Sequence, residues 1–301
     1  MGSAGRLFCF GFGYSAEALA RRLKADGWTV AGTCRDEVRK AEMAKLGVKA
    51  HPFESAHPLD DAAKIFSSFD HFLISIPPEN AGDASHDPVL RHHRDHLLAA
   101  ASSLTWIGYL SSTGVYGDAQ GRPVDEAWPC RPTSARSQRR LEAENAWLAL
   151  ARRPSLLPVH GFRLAGIYGP GRSALDDARR GAAKRIDRPR HRFSRIHVDD
   201  VANVLAASIA RPRPGAIYNV CDDEPAPPAT VTEEACRLLG IAPPPLQSFA
   251  EAAKTMSPMA LGFWRDDRYM LNVRIKHELG VKLLYPDYRA GLKAILDAGG
   301  R

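Results

Sequence analysis

The chain has 301 residues, 45% of them hydrophobic and 25% charged, and a net charge of +7. This is globular composition, enough for one large core or two coupled ones, and no apolar run approaches the ~18 residues of a membrane helix. Five scattered cysteines, Cys9, Cys34, Cys130, Cys221 and Cys236, make no C-x-x-C pair, so a reduced cytoplasmic protein without disulfides, zinc or membrane attachment is expected.

Arg6–Phe10 reads as a first strand, and its continuation is too short and glycine-rich for a signal peptide. It enters Gly11-Phe12-Gly13-Tyr14-Ser15-Ala16, a G-x-G-x-x-A turn. Gly11 permits the tight turn, Gly13 lets backbone approach a pyrophosphate, and Ala16 keeps the next helix close to the strand. That helix, Ser15–Asp26, presents unpaired N–H groups and a positive dipole end to an anion. With a second strand at Trp28–Thr33 the motif sits in the βαβ context that makes it a dinucleotide site. The strand ends Thr33-Cys34-Arg35, where NAD sites place an Asp or Glu on the ribose 2′-hydroxyl. An arginine fork pairs with phosphate oxygens, so Arg35, with a hydroxyl from Thr33, predicts NADP in preference to NAD. Asp36 is placed to cap a helix over Asp36–Leu46.

Strands over Val48–Phe53 and His71–Ile76 follow. Ser75, Ile76 and Pro77, before Pro78, read either as a further cofactor contact or as a proline-terminated strand end. Pro88–Ser102 reads as a helix bearing His92 and His96 at a metal-ligand spacing. No third ligand accompanies them, and no metal is expected. A strand over Leu104–Ser111 ends in Leu110-Ser111-Ser112-Thr113-Gly114-Val115-Tyr116-Gly117. Ser112 and Thr113 fall at its carboxyl end, where sites form in open α/β sheets. A helix over Ser134–Arg152 carries Arg136 and Arg140 on one face. Apolar stripes on these two helices (Leu97, Leu98, Ala101; Leu141, Trp147, Leu148) suit a homodimer interface or the chain's own sheet equally well.

A strand over Leu157–Ile167 leads to Tyr168 and Arg172. From Arg172 to His197 nine Lys or Arg accompany three Asp. No nucleic-acid module supports that reading of the charge, and no nucleic-acid partner is expected. The run reads as a cleft for a phosphorylated small molecule or as a solvated loop. The second half is rich in proline (PRPG, EPAPPAT, APPPL). Strand–helix alternation predicts an α/β fold, a doubly wound parallel Rossmann sheet with a smaller, mostly C-terminal substrate lobe. The expected boundaries are 1–163 plus about 191–220 for the Rossmann domain, and about 164–190 plus 221–301 for the lobe.

Taken together, the glycine turn, Leu110–Gly117, Val124-Asp125-Glu126, Phe162-Arg163-Leu164, Gly166–Gly171, Arg195–Val201 and Tyr218-Asn219-Val220 resemble an extended short-chain dehydrogenase/reductase of the NAD-dependent epimerase/dehydratase kind. The resemblance covers nearly the whole chain, with its motifs in the family's order. It implies substrate contact from Ser112 or Thr113, and a Tyr-x-x-x-Lys pair on the next helix for proton transfer and ribose binding. Here Arg136 and Arg140 hold those two positions, and none of the eight tyrosines has Lys four residues on. Arg136 cannot donate a proton at neutral pH, but it can bind an anion or stabilise developing charge; Arg140 can still bond a ribose. Tyr116, Tyr168 and Arg172 are candidate substrate contacts. The resemblance therefore implies the atypical branch of the superfamily. The chain is either an oxidoreductase or epimerase with a rebuilt site for a small oxygenated substrate, or a cofactor-binding regulator without turnover.

Overall fold

The computed structural model describes residues 4–79, 86–153, 155–188 and 190–299. The chain divides into two compact units.

The first unit comprises residues 1–112, 135–163 and 201–218. Its sheet has seven strands in the order β7-β6-β5-β4-β1-β2-β3. They are β1 (Arg6–Phe10), β2 (Thr29–Cys34), β3 (Lys49–Pro52), β4 (His71–Ile74), β5 (Trp106–Ser112), β6 (Val159–Leu164) and β7 (Ile217–Val220), the last running past the unit's boundary. β1 pairs in parallel with both β2 and β4, β2 with β3, and β4 with β5. Strand order therefore reverses between β1 and β4, and in doubly wound sheets the ligand crevice opens at the carboxyl ends of those strands. Both faces are covered, by helices that include α1 (Tyr14–Ala25), α2 (Glu37–Lys45), α3 (Ala62–Ser68), α4 (Pro88–Ala99) and α5 (Ala135–Ala149). This explains why β1 and β5 read as mostly apolar runs instead of alternating. Phe8, Phe10, Phe66, Phe72, Ile107, Tyr109 and Trp147 make the core of this layer. Leu97 and Trp147 are fully buried there, so part of the two apolar stripes faces the unit's own sheet.

The second unit comprises residues 113–134, 164–200 and 219–301. It is held by short parallel strand pairs, Gly166–Tyr168 with Arg195–His197, Arg185–Asp187 with Leu246–Ser248, and Arg122–Val124 with Arg268–Met270. Tyr168, Leu175, Ala235, Tyr288 and Leu292 form its main core. Two expectations change. Residues 113–134 and 191–200 cluster with this unit, because Arg122–Val124 pairs with Arg268–Met270 and Arg195–His197 pairs with Gly166–Tyr168. The single strand expected over Leu157–Ile167 is two, broken at Ala165. There the chain changes partners: the Ala165 N–H donates to the Val220 carbonyl, and the Gly166 N–H to that of Ser194.

Candidate functional site

In the first unit the site is built on the carboxyl end of β1. Gly11 takes a φ of +84°, and a Cβ there would lie 2.9 Å from the Ile76 side chain. Ser75 and Ile76 therefore lie directly against the turn, and the Ser75 N–H donates to the Phe10 carbonyl at 2.9 Å. Pro77, just beyond, is exposed. The turn is braced from β2. Thr33 Oγ1 accepts the Gly11 N–H at 2.7 Å, and the Thr33 carbonyl accepts that of Phe12 at 2.9 Å. Thr33 is buried and its hydroxyl oxygen braces the turn, a role beyond the hydroxyl expected of it beside Arg35. Phe12 is tied into the turn as well: its ring is buried and its carbonyl accepts Arg39 Nε at 2.8 Å.

Gly13 is the open position. A Cβ on it would meet nothing within 4 Å. Gly13 is the N-cap of α1 and makes no side-chain cap hydrogen bond, so the helix begins at this opening. Ser15 and Ala16 are buried on the inner side of that turn, and Tyr14 is half-buried. An acidic residue, Glu17, stands one turn in, where it would oppose an anion. Arg21 and Arg39 both bond it, at 2.6 and 2.7 Å. Burial pushes the Glu17 carboxyl up, but these two guanidinium groups outweigh it and hold it below the ordinary carboxylate range. Arg39 was not anticipated. It joins Phe12, Glu17 and Glu42, and nothing in its immediate sequence marks that role. Asp36 caps α2 through the Arg39 N–H at 2.8 Å, as its position implied. Arg35 is exposed at the end of β2, and among the described residues its guanidinium has no hydrogen-bond or carboxylate partner.

At the carboxyl end of β5, Ser111 is buried with no partner for its hydroxyl among the described residues, and Ser112 is half-buried. Helix α5 runs its Arg136, Arg140 and Glu144 along one side at four-residue intervals. Glu144 is fully buried and forms a two-pronged ion pair with Arg163 of β6, its closest contact 2.5 Å. Arg140 Nη1 donates to the Leu110 carbonyl at 2.9 Å and to the Tyr109 hydroxyl at 3.3 Å. Arg140 is thus a brace between helix and strand. Arg136, a turn earlier, is exposed, and among the described residues nothing neutralises it. Trp147 of α5 donates to Asp87, the buried cap of α4, at 3.0 Å. His92 contacts the Ser55 carbonyl at 2.8 Å and His96 stacks on Phe66.

In the second unit two expected substrate contacts prove to be framework. Tyr116 is fully buried and donates to Asn219 Oδ1 at 2.7 Å. Asn219 in turn donates to the Val124 carbonyl and, through its backbone, to Glu126. Three of the motifs that carried the resemblance meet in this network. Tyr168 packs against Gly291, where a Cβ would lie 2.1 Å from its hydroxyl oxygen, and donates to the Asp287 carbonyl at 3.3 Å. Burial, then the nearby Asp222 and Asp200, push that phenol far above its ordinary value. His197, which stacks edge-on with Tyr168, accepts the Asp199 N–H and is kept neutral by burial. Arg172 closes a tight turn with Gly169 through its backbone, and its side chain is exposed. Thr113 opens this unit and is half-buried.

A glycine turn at a strand-order reversal, entering a helix, is the arrangement of a Rossmann-type fold. The comparisons agree. The profile of the NAD dependent epimerase/dehydratase family matches residues 11–221. The chain belongs to that family. It is 32% identical to Protein YeeZ of Escherichia coli K12 over 286 residues, covering 92% of this chain and 95% of that protein. It is 33% identical over 142 residues, 44% of this chain and 45% of the other, to a 3-diazoavenalumate denitrifying reductase of a Streptomyces species. The solved structure of a functionally unknown conserved protein from Silicibacter pomeroyi is 44% identical, with a TM-score of 0.88, and the match spans 98% of this chain and 99% of that one.

Proposed function

We propose that the chain is an NADP-binding reductase or epimerase-like enzyme that exchanges hydride with a small oxygenated substrate through a site without a tyrosine acid. The observation that carries this reading is the open face at Gly13 together with Arg35 at the end of β2, which has no partner among the described residues. The turn suits the group: Gly13 leaves room for a pyrophosphate, and among the described residues no carboxylate claims the Arg35 cation. The nicotinamide supplies the hydride chemistry when bound. Gly13 and the first turn of α1 would receive the pyrophosphate, Arg35 the 2′-phosphate, and Ser75 and Ile76 the flank beside Gly11. Arg140 keeps the start of α5 against β5. Ser112 Oγ would hold a substrate oxygen, and Arg136, in the same unit, would offer it fixed positive charge. Part of the chain resembles a reductase by name, which favours reduction among the family's reactions.

The test is parallel titration with NADPH and NADH, wild type against Arg35→Ala. A charge-assisted contact contributes ~1.5–3 kcal/mol, and Arg35 is exposed, so the lower end applies. The expected result is roughly a tenfold loss of NADPH affinity and little loss for NADH. Equal losses would remove the NADP assignment.

A second reading, a cofactor-binding regulator without turnover, is favoured by one observation: Arg140 is spent on the Leu110 carbonyl. Turnover that survives Arg140→Lys but falls with Ser112→Ala excludes it.

A further inference from the structure

Four of the nine cations in the basic run are spent on the fold of the second unit. Arg180 pairs with Asp177 and Arg185 with Glu233. Arg188 bonds the Trp264 carbonyl and lies over the Phe249 ring. Arg195 bonds the Phe193 and Ala226 carbonyls. Among the described residues, the side chains of Arg172, Arg179, Lys184, Arg190 and Arg192 make no hydrogen bond or ion pair. Arg190 and Arg192 differ from the other three in lining a cavity of about 270 Å³, with Tyr269, Gly121 and Asp267.

The frame of this cavity is fixed. His191, between the two arginines, is 1% exposed, stacks on Trp264 and meets Phe193 edge-on. Its N–H donates to the Arg188 carbonyl at 3.0 Å. The opposite wall is pinned as well. The Asp267 carbonyl accepts the N–H groups of Ala119 and Gly121, and the Asp267 N–H donates to Asp118 at 2.8 Å. Gly121 has a φ of +72°, and a Cβ there would lie 3.2 Å from Asp267 Oδ2. Arg190 and Arg192, both exposed, thus line one space with Tyr269 against a single carboxylate.

We infer that this cavity is a binding site for a phosphate group, with Arg190 and Arg192 as its ligands and the Tyr269 hydroxyl as a third donor. Paired arginine forks match the oxygens of a phosphate. The volume is just under the ~300–1,000 Å³ of pockets for drug-sized ligands, so it takes a phosphate and a short substituent, not a whole dinucleotide. The site lies wholly within the second unit and does not depend on the cofactor reading.

The test is calorimetric titration of the full chain, without nucleotide, using inorganic phosphate and phenyl phosphate at constant ionic strength. Arg190→Gln/Arg192→Gln is compared with Arg179→Gln/Lys184→Gln, which removes the same charge from cations outside the cavity. Among the described residues none of the four side chains has a hydrogen-bond or ion-pair partner, so both variants should fold; thermal melts check this. The expected result is millimolar or tighter binding, weakened at least tenfold in the first variant and unchanged in the second. Tighter binding of phenyl phosphate assigns the site to a phosphoester substrate, and equal binding to the free ion. No binding by wild type, or equal losses in the two variants, overturns the inference.

Discussion

The turn at Gly11 and Gly13 allows stability and cofactor binding to be separated by two substitutions of the same kind. Gly13 has φ −96° and ψ −164°, which alanine adopts freely, and its Cβ would meet nothing within 4 Å. Gly13→Ala should therefore leave stability unchanged, or raise it by ~0.4–1 kcal/mol through the less flexible unfolded chain. If Gly13 is where a pyrophosphate approaches, the added methyl occupies that approach. It moves the anion off the amides of α1, whose dipole contributes up to ~2 kcal/mol in good geometry. A loss of about 1.4 kcal/mol is a tenfold weaker Kd for NADPH. Gly11→Ala is the opposite case. At φ +84°, with the Ile76 side chain 2.9 Å from the new Cβ, it should cost ~1–3 kcal/mol of stability. Urea denaturation and NADPH titration of both variants read the two effects. If Gly13→Ala binds NADPH as tightly as wild type, the open face is not the cofactor's approach and the proposed site is wrong.

Two further outcomes follow from buried polar contacts. Tyr116→Phe removes the only donor described for Asn219 Oδ1 and should cost ~1–3 kcal/mol, with NADPH affinity unchanged; a variant of normal stability but altered substrate KM would return Tyr116 to the substrate. His93 and His160 each accept a backbone N–H, from Leu59 and Arg213, and burial lowers both to about 4 from 6.5. Between those values the unfolded chain binds more protons, so stability is full above pH 6.5 and falls towards pH 4, by up to ~1.4 kcal/mol per pH unit for each histidine. Urea midpoints that stay level from pH 7 to pH 5 would contradict this.

What was legible in the sequence was local. The glycine turn, the Asp36 cap and the four strands that bear the turn follow from neighbouring residues, and each is found. What escaped was decided at long range. Arg39 reaches back to Phe12 and Glu17 because α2 is laid beside the turn, and no spacing within α2 announces it. Tyr116 looked available because it follows the strand-five serines. Its partner, Asn219, is 103 residues away, in a motif that carries no local sign of the contact. Nothing local to Leu157–Ile167 sets the end of the first strand at Ala165; it is the hydrogen-bond partners that change there. In the basic run, charge counting could not separate Arg195, tied to two carbonyls, from Arg190 and Arg192, which face a cavity.

The replacement on α5 bears on what the proposed enzyme can accept. A tyrosine at position 136 would bring a proton that moves; Arg136 brings a charge that stays, because a guanidinium does not deprotonate in proteins. Below it, Arg140 and Glu144 are tied to β5 and β6, so the helix bearing Arg136 is held firmly at its inner face. A fixed, unneutralised cation at the end of such a helix favours a substrate that is anionic or becomes so as it reacts. Arg136→Gln should then raise the KM of a carboxylated or phosphorylated substrate about tenfold, ~1.4 kcal/mol. It should leave the KM of its neutral analogue and the Kd for NADPH unaltered. The substitution alters no contact described for the helix, so a general loss of activity towards both substrates would mean that Arg136 shapes the site without recognising charge.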